Sequence, residues 1–143
     1  MRFAIVVSQF NPEVTNGLLK GAKKYLESKK VKLTDSDIYS APGAFELPLI
    51  AKVLAKKKKY SGVICLGCVI KGETDHNEYI NHATASGLEL VGQETGVPAI
   101  FGVVTTNSLE QALARAEEGS TNKGWEAAVA AVTMANLRRT LAE

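Results

Sequence analysis

The chain has 143 residues, of which 45% are apolar and 22% charged, and its formal net charge at pH 7 is +2. These proportions are those of an ordinary globular protein, and we expect a single domain over residues 1–143. So small a net charge gives no reason to expect a nucleic-acid partner. No apolar run approaches the roughly 20 residues of a membrane-spanning helix, so we expect no membrane association.

Strands and helices alternate in the predicted chain. In order they are a strand at 3–8, a helix at 12–30, a strand at 37–41, a helix at 45–59, a strand at 62–70, a helix at 76–96, a strand at 98–106, and helices at 108–118 and 121–143. The first strand lacks the cleavage site of a secretion signal, so we expect a cytoplasmic protein. In the second helix, Leu49, Val53 and Leu54 are expected to face the core.

This alternation predicts an α/β fold. We expect a flavodoxin-like, three-layer αβα arrangement in which a four-stranded parallel sheet, in the order 2-1-3-4, carries helices on both faces. The switch point then lies between the first and third strands, and the loops that follow the first three strands converge at the carboxyl edge of the sheet. Ligands of such sheets bind at that edge.

The polar turn after the third strand is the first candidate site. Residues 71–75 follow a buried strand, and His76 opens a long helix. The free N–H groups of a helix start can bind an anion, and Thr74 adds a hydroxyl donor. His76 places a titratable imidazole beside that anion, so we expect the chemistry here.

Two aromatic side chains fall on neighbouring loops. Phe10 follows the first strand and Phe45 the second, although the chain has only four phenylalanines. An aromatic ring at this edge suits stacking on a flat heterocycle, while Asn11 and Glu46 can bind hydroxyls or ring N–H groups. The alternative is that each ring only covers a loop. Together these loops predict condensation or elimination chemistry on two small molecules.

The two cysteines look like a redox or metal-binding pair. Cys65 and Cys68 are three residues apart on a strand, however, and so point to opposite faces of the sheet. We therefore predict buried, unpaired thiols. His82 lies on a different face of its helix from His76, so no paired-histidine metal site is expected.

The last helix is rich in alanine, and we expect its smooth face to serve a contact between subunits as well as the sheet. Arg115 and Lys123 precede or begin this helix and look far from the switch point within one subunit. A neighbouring subunit could deliver both side chains to the site. The alternative is that they form surface salt bridges on a short helix.

Five segments of the chain resemble the lumazine synthase family. They are residues 10–11, 42–48, 67–76, 101–106 and 122–128, in the family's order and spacing, and the resemblance covers nearly the whole chain. It implies condensation of 5-amino-6-(D-ribitylamino)uracil with 3,4-dihydroxy-2-butanone 4-phosphate to 6,7-dimethyl-8-ribityllumazine, the penultimate step of riboflavin synthesis. It also implies that no cofactor or metal is needed, that active sites lie between the subunits of a pentamer, and that riboflavin synthase is a partner.

The resemblance also implies a role for each site residue. His76 would transfer protons, while Arg115 and the backbone of Glu73 and Thr74 would hold the phosphate. The pyrimidine and its ribityl chain would be bound by Phe10, Asn11, Ala44, Phe45, Glu46, Cys68, Val69 and Ile70, and by Phe101 and Lys123 of a neighbouring subunit. Asn77 stands where the family often has an aromatic residue, and Lys71 where it often has arginine.

Two alternatives stay open at this point. The chain begins at its first strand and is expected to lack the N-terminal segment of shell-forming members, yet the uninserted loop at 115–123 suits a sixty-subunit shell. The alternative function is a non-catalytic flavin- or lumazine-binding module whose main role is assembly. His76, Arg115 and Lys123 argue against such a module, because binding alone needs no proton shuttle.

Overall fold

A computed structural model describes residues 1–143, the whole chain. Its four parallel strands are β1 (Phe3–Ser8), β2 (Ile38–Ala41), β3 (Gly62–Ile70) and β4 (Ala99–Thr106), and their order in the sheet is β2-β1-β3-β4. The helices are α1 (Pro12–Ser28), α2 (Leu47–Ala55), α3 (His76–Thr95), α4 (Leu109–Ala114) and α5 (Lys123–Ala142). Helices α1, α4 and α5 cover one face of the sheet and α2 and α3 the other, which confirms the predicted flavodoxin-like fold.

Strands β1 and β3 form the centre of the sheet and feed two cores. In β1, Ile5 and Val7 pack beneath α1 and α5, while Ala4 and Val6 pack beneath α2 and α3. Every residue of β1 is buried, because a parallel strand covered by helices has no solvent face. None of the helices is both long and apolar enough to cross a membrane.

The two cysteines are free and buried on opposite faces of β3, as predicted. Burial raises the pKa of the Cys65 thiol to about 12. Burial and the nearby charge of Glu13 raise the pKa of the Cys68 thiol to about 11. Both thiols therefore stay protonated at neutral pH and pack as small apolar groups.

The second helix is shorter than predicted, and its inward face is different. Residues 44–46 form a separate 3-10 turn, and α2 ends at Ala55, before Lys58 adopts a left-handed conformation with φ 62°. Leu54 is buried as predicted, but Leu49 and Val53 are 72% and 54% exposed, so this part of the prediction was wrong. The helix carries two apolar stripes, and the one that reaches the core contains Leu47, Ala51, Leu54 and Ala55.

Helix α5 packs its alanine-rich face inside the chain. Ala127, Ala128, Ala131 and Ala135 are buried against the sheet and α1, and the exposed alanines of α5 are Ala130 and Ala142. The predicted use of this face in a subunit contact is therefore wrong for these four residues. Small side chains here let α5 lie close to the layer beneath it.

The close approach of α5 to α1 depends on two residues at the start of α5. A Cβ atom at Gly124 would lie 1.8 Å from the backbone oxygen of Leu18, so only glycine fits there. Buried Asn122 caps the helix: its Oδ1 accepts from the N–H groups of Gly124 (2.8 Å) and Trp125 (3.1 Å). Its Nδ2 donates to the backbone oxygen of Gly17 (3.1 Å), so one side chain joins α5 to α1.

A buried polar cluster closes the amino-terminal edge of the sheet. Asp37 accepts hydrogen bonds from the hydroxyl of Tyr60 (2.9 Å) and from Arg2 (2.7 Å). Burial by itself raises the pKa of Asp37, but the N–H of Thr34 and the Tyr60 and Arg2 groups together hold that pKa below its usual value. Because these residues precede β2, β3 and β1, the cluster lies at the edge opposite the predicted site.

Candidate active site

A cleft of about 400 Å³ opens where β1, β2 and β3 end. Its lining residues are Phe10, Asn11, Gly43, Ala44, Phe45, Glu46, Cys68, Val69, Ile70, His76 and Ile80. Apart from Gly43 and Ile80, each of these residues is one that the sequence placed in a substrate site. The structure thus brings the three predicted loops and the start of α3 around one opening.

The aromatic wall of the cleft is formed by Phe10 and Phe45, whose side chains are 67% and 58% exposed. Phe10 rests against Gly43, where a Cβ atom would lie 3.1 Å from the Phe10 ring. Neither ring is buried in a core, so each has an exposed surface that a ligand of the cleft can contact. Two exposed rings at a switch point suit a flat, aromatic ligand better than a purely structural role.

The turn at 44–46 is anchored to α3. The buried hydroxyl of Thr84 lies 3.2 Å from the backbone oxygen of Ala44 and 2.7 Å from that of Ile80, and its single proton is shared between them. The bond to Ala44 links the turn that carries Phe45 and Glu46 to the helix that begins at His76. The two walls of the cleft are therefore held together through Thr84.

The turn between β3 and α3 is exposed and rich in unpaired donors. The N–H groups of Glu73, Thr74, Asp75 and Asn77 have no acceptor within the chain, and that of His76 makes only a 3.3 Å contact to the Thr74 hydroxyl oxygen. These groups stand at the positive end of a 20-residue helix. The arrangement is suited to an anion such as a phosphate.

Five predicted site residues do not line this cleft: Glu73 and Thr74 lie in the turn just described, and the other three lie farther along the chain. Phe101 and Lys123 line a separate groove of about 210 Å³ between β4 and α5, where Lys123 pairs with Glu126 at 2.9 Å. Arg115 is exposed at the end of α4 and donates to the backbone oxygen of Gln111 (2.9 Å). Strand β4 is the edge strand beyond β3, so its outer side cannot face a cleft built on β1, β2 and β3.

Ile80 and Gly43 line the cleft although they were not predicted to do so, whereas Asn77 lies outside it. Ile80 was not predicted as a cleft residue, although it is four positions after His76 and such residues share a helix face. Gly43 gave no such signal, because its role is to leave space for Phe10. Asn77 does not line the cleft, and its Oδ1 is buried without a hydrogen-bond partner.

Ionisable side chains near the cleft do not form a metal site. The chain contains no group of three or more His, Cys, Asp or Glu side chains that could hold a metal ion. The side chains at the cleft include two aromatic rings able to stack on a ligand, the carboxylate of Glu46 and the imidazole of His76, a group type able to exchange protons near neutral pH.

The chain is similar to known proteins over most of its length. A family model described as 6,7-dimethyl-8-ribityllumazine synthase matches residues 1–139. The 6,7-dimethyl-8-ribityllumazine synthase 1 of Caulobacter vibrioides is 55% identical over 139 residues, which are 96% of this chain and 91% of that protein. The family match includes every residue that lines the cleft and the groove.

Proposed function

Since the chain belongs to the 6,7-dimethyl-8-ribityllumazine synthase family, we propose that the cleft at the carboxyl edge of its sheet is the active site of that reaction. The enzyme is a transferase of riboflavin biosynthesis. It condenses 5-amino-6-(D-ribitylamino)uracil with 3,4-dihydroxy-2-butanone 4-phosphate and forms 6,7-dimethyl-8-ribityllumazine. One observation carries the assignment of the site: two exposed aromatic rings and an imidazole line a single cleft, and that imidazole belongs to the helix start whose preceding turn has unpaired N–H groups.

We assign the pyrimidine to the aromatic side of the cleft. The ring of Phe10 offers an open face on which the heterocycle can stack. Polar groups for the ring and its ribityl hydroxyls come from the Glu46 carboxylate and from the backbone of Ala44, Phe45, Cys68, Val69 and Ile70. An apolar platform with a few polar groups at its rim is the usual form of a small-molecule site.

We assign the phosphate of the second substrate to the start of α3. Unpaired N–H groups of Glu73 and Thr74 can donate to its oxygens, and the positive end of the helix favours its charge. The carboxylates of Glu73 and Asp75 oppose a dianion, so a cation is needed beside it. Arg115 suits this role because a planar guanidinium grips phosphate through two donors at once.

His76 is the proposed proton-transfer residue. The aryl amine attacks the ketone to form an imine, enolisation then expels phosphate, and ring closure expels water. Each of these steps moves a proton, and one imidazole at the mouth of the cleft can serve all of them in turn. Holding both substrates side by side supplies a further large part of the rate. The alternative of a non-catalytic binding module is not favoured, since binding requires no such residue.

We further propose that the active site is completed by a neighbouring subunit of a pentamer. Phe101, Lys123 and Arg115 lie outside the cleft of their own chain, so a second chain has to present them. Joining one chain's cleft to the next chain's β4–α5 side uses two different surfaces, and such head-to-tail contacts form a ring when the rotation between neighbours closes. Exposed Leu49 and Val53 on α2 offer apolar area for subunit contacts.

We also propose a larger assembly and a protein partner. The short loop between Arg115 and Lys123 suits packing of pentamers into a sixty-subunit shell. Riboflavin synthase, which consumes the product, is the proposed partner, and the support for both statements is the family resemblance. We also propose a cytoplasmic location, on the argument that the apolar run Phe3–Ser8 is a strand of the core.

The activity itself is tested with purified protein and the two substrates, by following lumazine absorbance and free phosphate together. We expect both products to appear in equal amounts and well above the spontaneous rate. A second sample without protein gives that rate, and a third with the pyrimidine alone gives the baseline absorbance. Pyrimidine binding without any acceleration would contradict the synthase and favour the binding module.

The shared active site is tested by mixing two inactive variants. His76→Gln removes the proposed proton-transfer residue from the cleft, and Arg115→Ala with Lys123→Ala removes the neighbour's contribution. We expect each variant alone to be nearly inactive and a co-expressed 1:1 mixture to regain about a quarter of wild-type activity. In random assembly, half of the clefts retain His76 and half of the neighbouring chains retain Arg115 and Lys123, so about one site in four has all three. Sites built within single chains would leave the mixture inactive.

A further inference from the structure

Asn11 occupies an unusual backbone position at the mouth of the cleft. Its φ and ψ of 55° and 58° are left-handed, a conformation that glycine, asparagine and aspartate visit more readily than other residues. Its backbone oxygen accepts from the N–H groups of Val14 (2.9 Å) and Thr15 (3.1 Å), so Asn11 begins α1. The side chain is not needed for that cap, and it makes no capping hydrogen bond.

The side chain instead reaches across to the end of β3. Its Nδ2 donates to the backbone oxygen of Cys68 at 3.2 Å. The ladder between β1 and β3 ends with Val7 opposite Leu66, and the N–H of Gln9 already pairs with Ala41 of β2. The amide of Asn11 therefore takes the place of the missing strand donor and ties the loop after β1 to the last residues of β3.

The neighbouring residue, Phe10, belongs to the loop that this bond ties to β3. The Phe10 side chain is 67% exposed, so core packing does not hold its ring. Its constraints are the contact with Gly43, the backbone N–H to Ser8 at 3.4 Å and the fixed conformation of Asn11. Loss of the bond to Cys68 would leave the helix bonds of the Asn11 backbone oxygen as the support on the C-terminal side of Phe10, with no tie to β3.

We propose that Asn11 is a positioning residue, which acts through Phe10 by holding the loop after β1 at a fixed distance from β3. The proposal rests on the proposed function, because it takes the Phe10 ring as the platform for the pyrimidine. It also changes the sequence-based role of Asn11, whose amide nitrogen is engaged with Cys68 rather than reserved for a substrate hydroxyl. Asparagine suits the position because it tolerates the left-handed backbone and carries a donor that aspartate lacks.

The test measures affinity for 5-amino-6-(D-ribitylamino)uracil alone, by calorimetry, without the second substrate. Asn11→Gly keeps the backbone conformation and removes the side-chain amide. We expect it to weaken binding about tenfold, because the loop would then have to be ordered on binding and fixing the backbone of one residue costs about that factor in affinity. Asn11→Asp should weaken binding at least as much, because two acceptors would then face each other. Asn16→Ala removes an exposed amide elsewhere on α1 and should leave the affinity unchanged.

A double-mutant cycle separates positioning from direct contact. In a Phe10→Leu background we expect Asn11→Gly to lower the affinity by less than about a further twofold, because the aromatic ring that Asn11 positions is already absent. An equal tenfold loss in both backgrounds would mean that Asn11 contacts the pyrimidine itself, and would overturn the proposal. Unchanged affinity of Asn11→Gly would also overturn it, whereas failure of the wild type to bind the pyrimidine would contradict the proposed function instead.

Discussion

We expect His76→Gln to lower kcat about a hundredfold while the affinity for the pyrimidine substrate changes by less than about threefold. His76 is the first residue of α3 and lines the cleft beside the unpaired N–H groups that we assign to the phosphate. Glutamine retains the size and hydrogen-bonding capacity of the side chain but cannot exchange a proton at neutral pH. The variant therefore removes proton transfer and leaves the aromatic platform in place.

The magnitude follows from the number of proton transfers in the reaction. General acid–base catalysis by a positioned side chain contributes about a hundredfold to ten-thousandfold. Part of the rate comes from holding the two substrates together, and that part should survive the substitution. A steady-state assay over both substrate concentrations separates kcat from KM, and stopped-flow mixing of enzyme with both substrates shows whether phosphate release is the step that slows.

The chain offers a matched control in His82. It lies on the same helix, is also exposed and does not line the cleft, so His82→Gln should retain wild-type kcat. Equal losses in both variants would point to damage to α3 rather than to chemistry. Unchanged turnover of His76→Gln would exclude His76 as the acid–base residue, and water or the substrate phosphate would then have to carry the protons.

The second large effect is expected in stability, from Gly124→Ala. Alanine normally stabilises a helix relative to glycine by about 1 kcal/mol. Here the added Cβ would lie 1.8 Å from the Leu18 oxygen and 2.5 Å from its carbonyl carbon. Both are backbone atoms, which cannot turn aside as a side chain would, so α5 has to move away from α1.

That movement would strain the buried bonds of Asn122 and open the core between the two helices. We expect a loss of at least about 3 kcal/mol in the free energy of unfolding, or a Tm lower by roughly 10 °C. Thermal and urea unfolding, followed by circular dichroism at fixed protein concentration, measure this loss. Aggregation on expression would be the extreme form of the same outcome.

Gly92→Ala is the control for a helical glycine. A Cβ atom at Gly92 of α3 would lie 3.8 Å from the nearest atom, the Val97 oxygen, which is an ordinary contact. We expect this variant to unfold at the wild-type temperature or slightly above it. If Gly124→Ala also matched the wild type, α5 could not lie as close to α1 as the structure has it.

The cleft shows why much of the site could be predicted. Phe10, Phe45 and His76 follow three strands directly, and the carboxyl ends of parallel strands meet at one edge whatever the details of packing. The prediction failed where the sequence was compatible with two orientations of a helix. Helix α2 has apolar residues on two sides, so the periodicity could not tell that Leu49 and Val53 face outward while Ala51 faces the core.

Contacts between residues distant in the sequence were not predictable. The Asn11–Cys68 bond spans 57 positions, and the bond from Asn122 to Gly17 spans 105. The sequence around an asparagine in a loop does not indicate its hydrogen-bond partner, because the bond forms only when the fold brings the two segments together. The same holds for Asp37, whose buried pairing with Tyr60 and Arg2 leaves no pattern along the chain.

By itself, the sequence determined the fold class, the strand order and the loops that share the carboxyl edge, because these follow from local periodicity and from general rules of α/β topology. The tertiary structure alone decided that Asn11 ties β1 to β3, that Gly124 lets α5 pack closely on α1, and that Leu49 and Val53 face outward. The reason is physical: a periodic pattern is a property of one segment, whereas a contact distance depends on how two segments pack against a third.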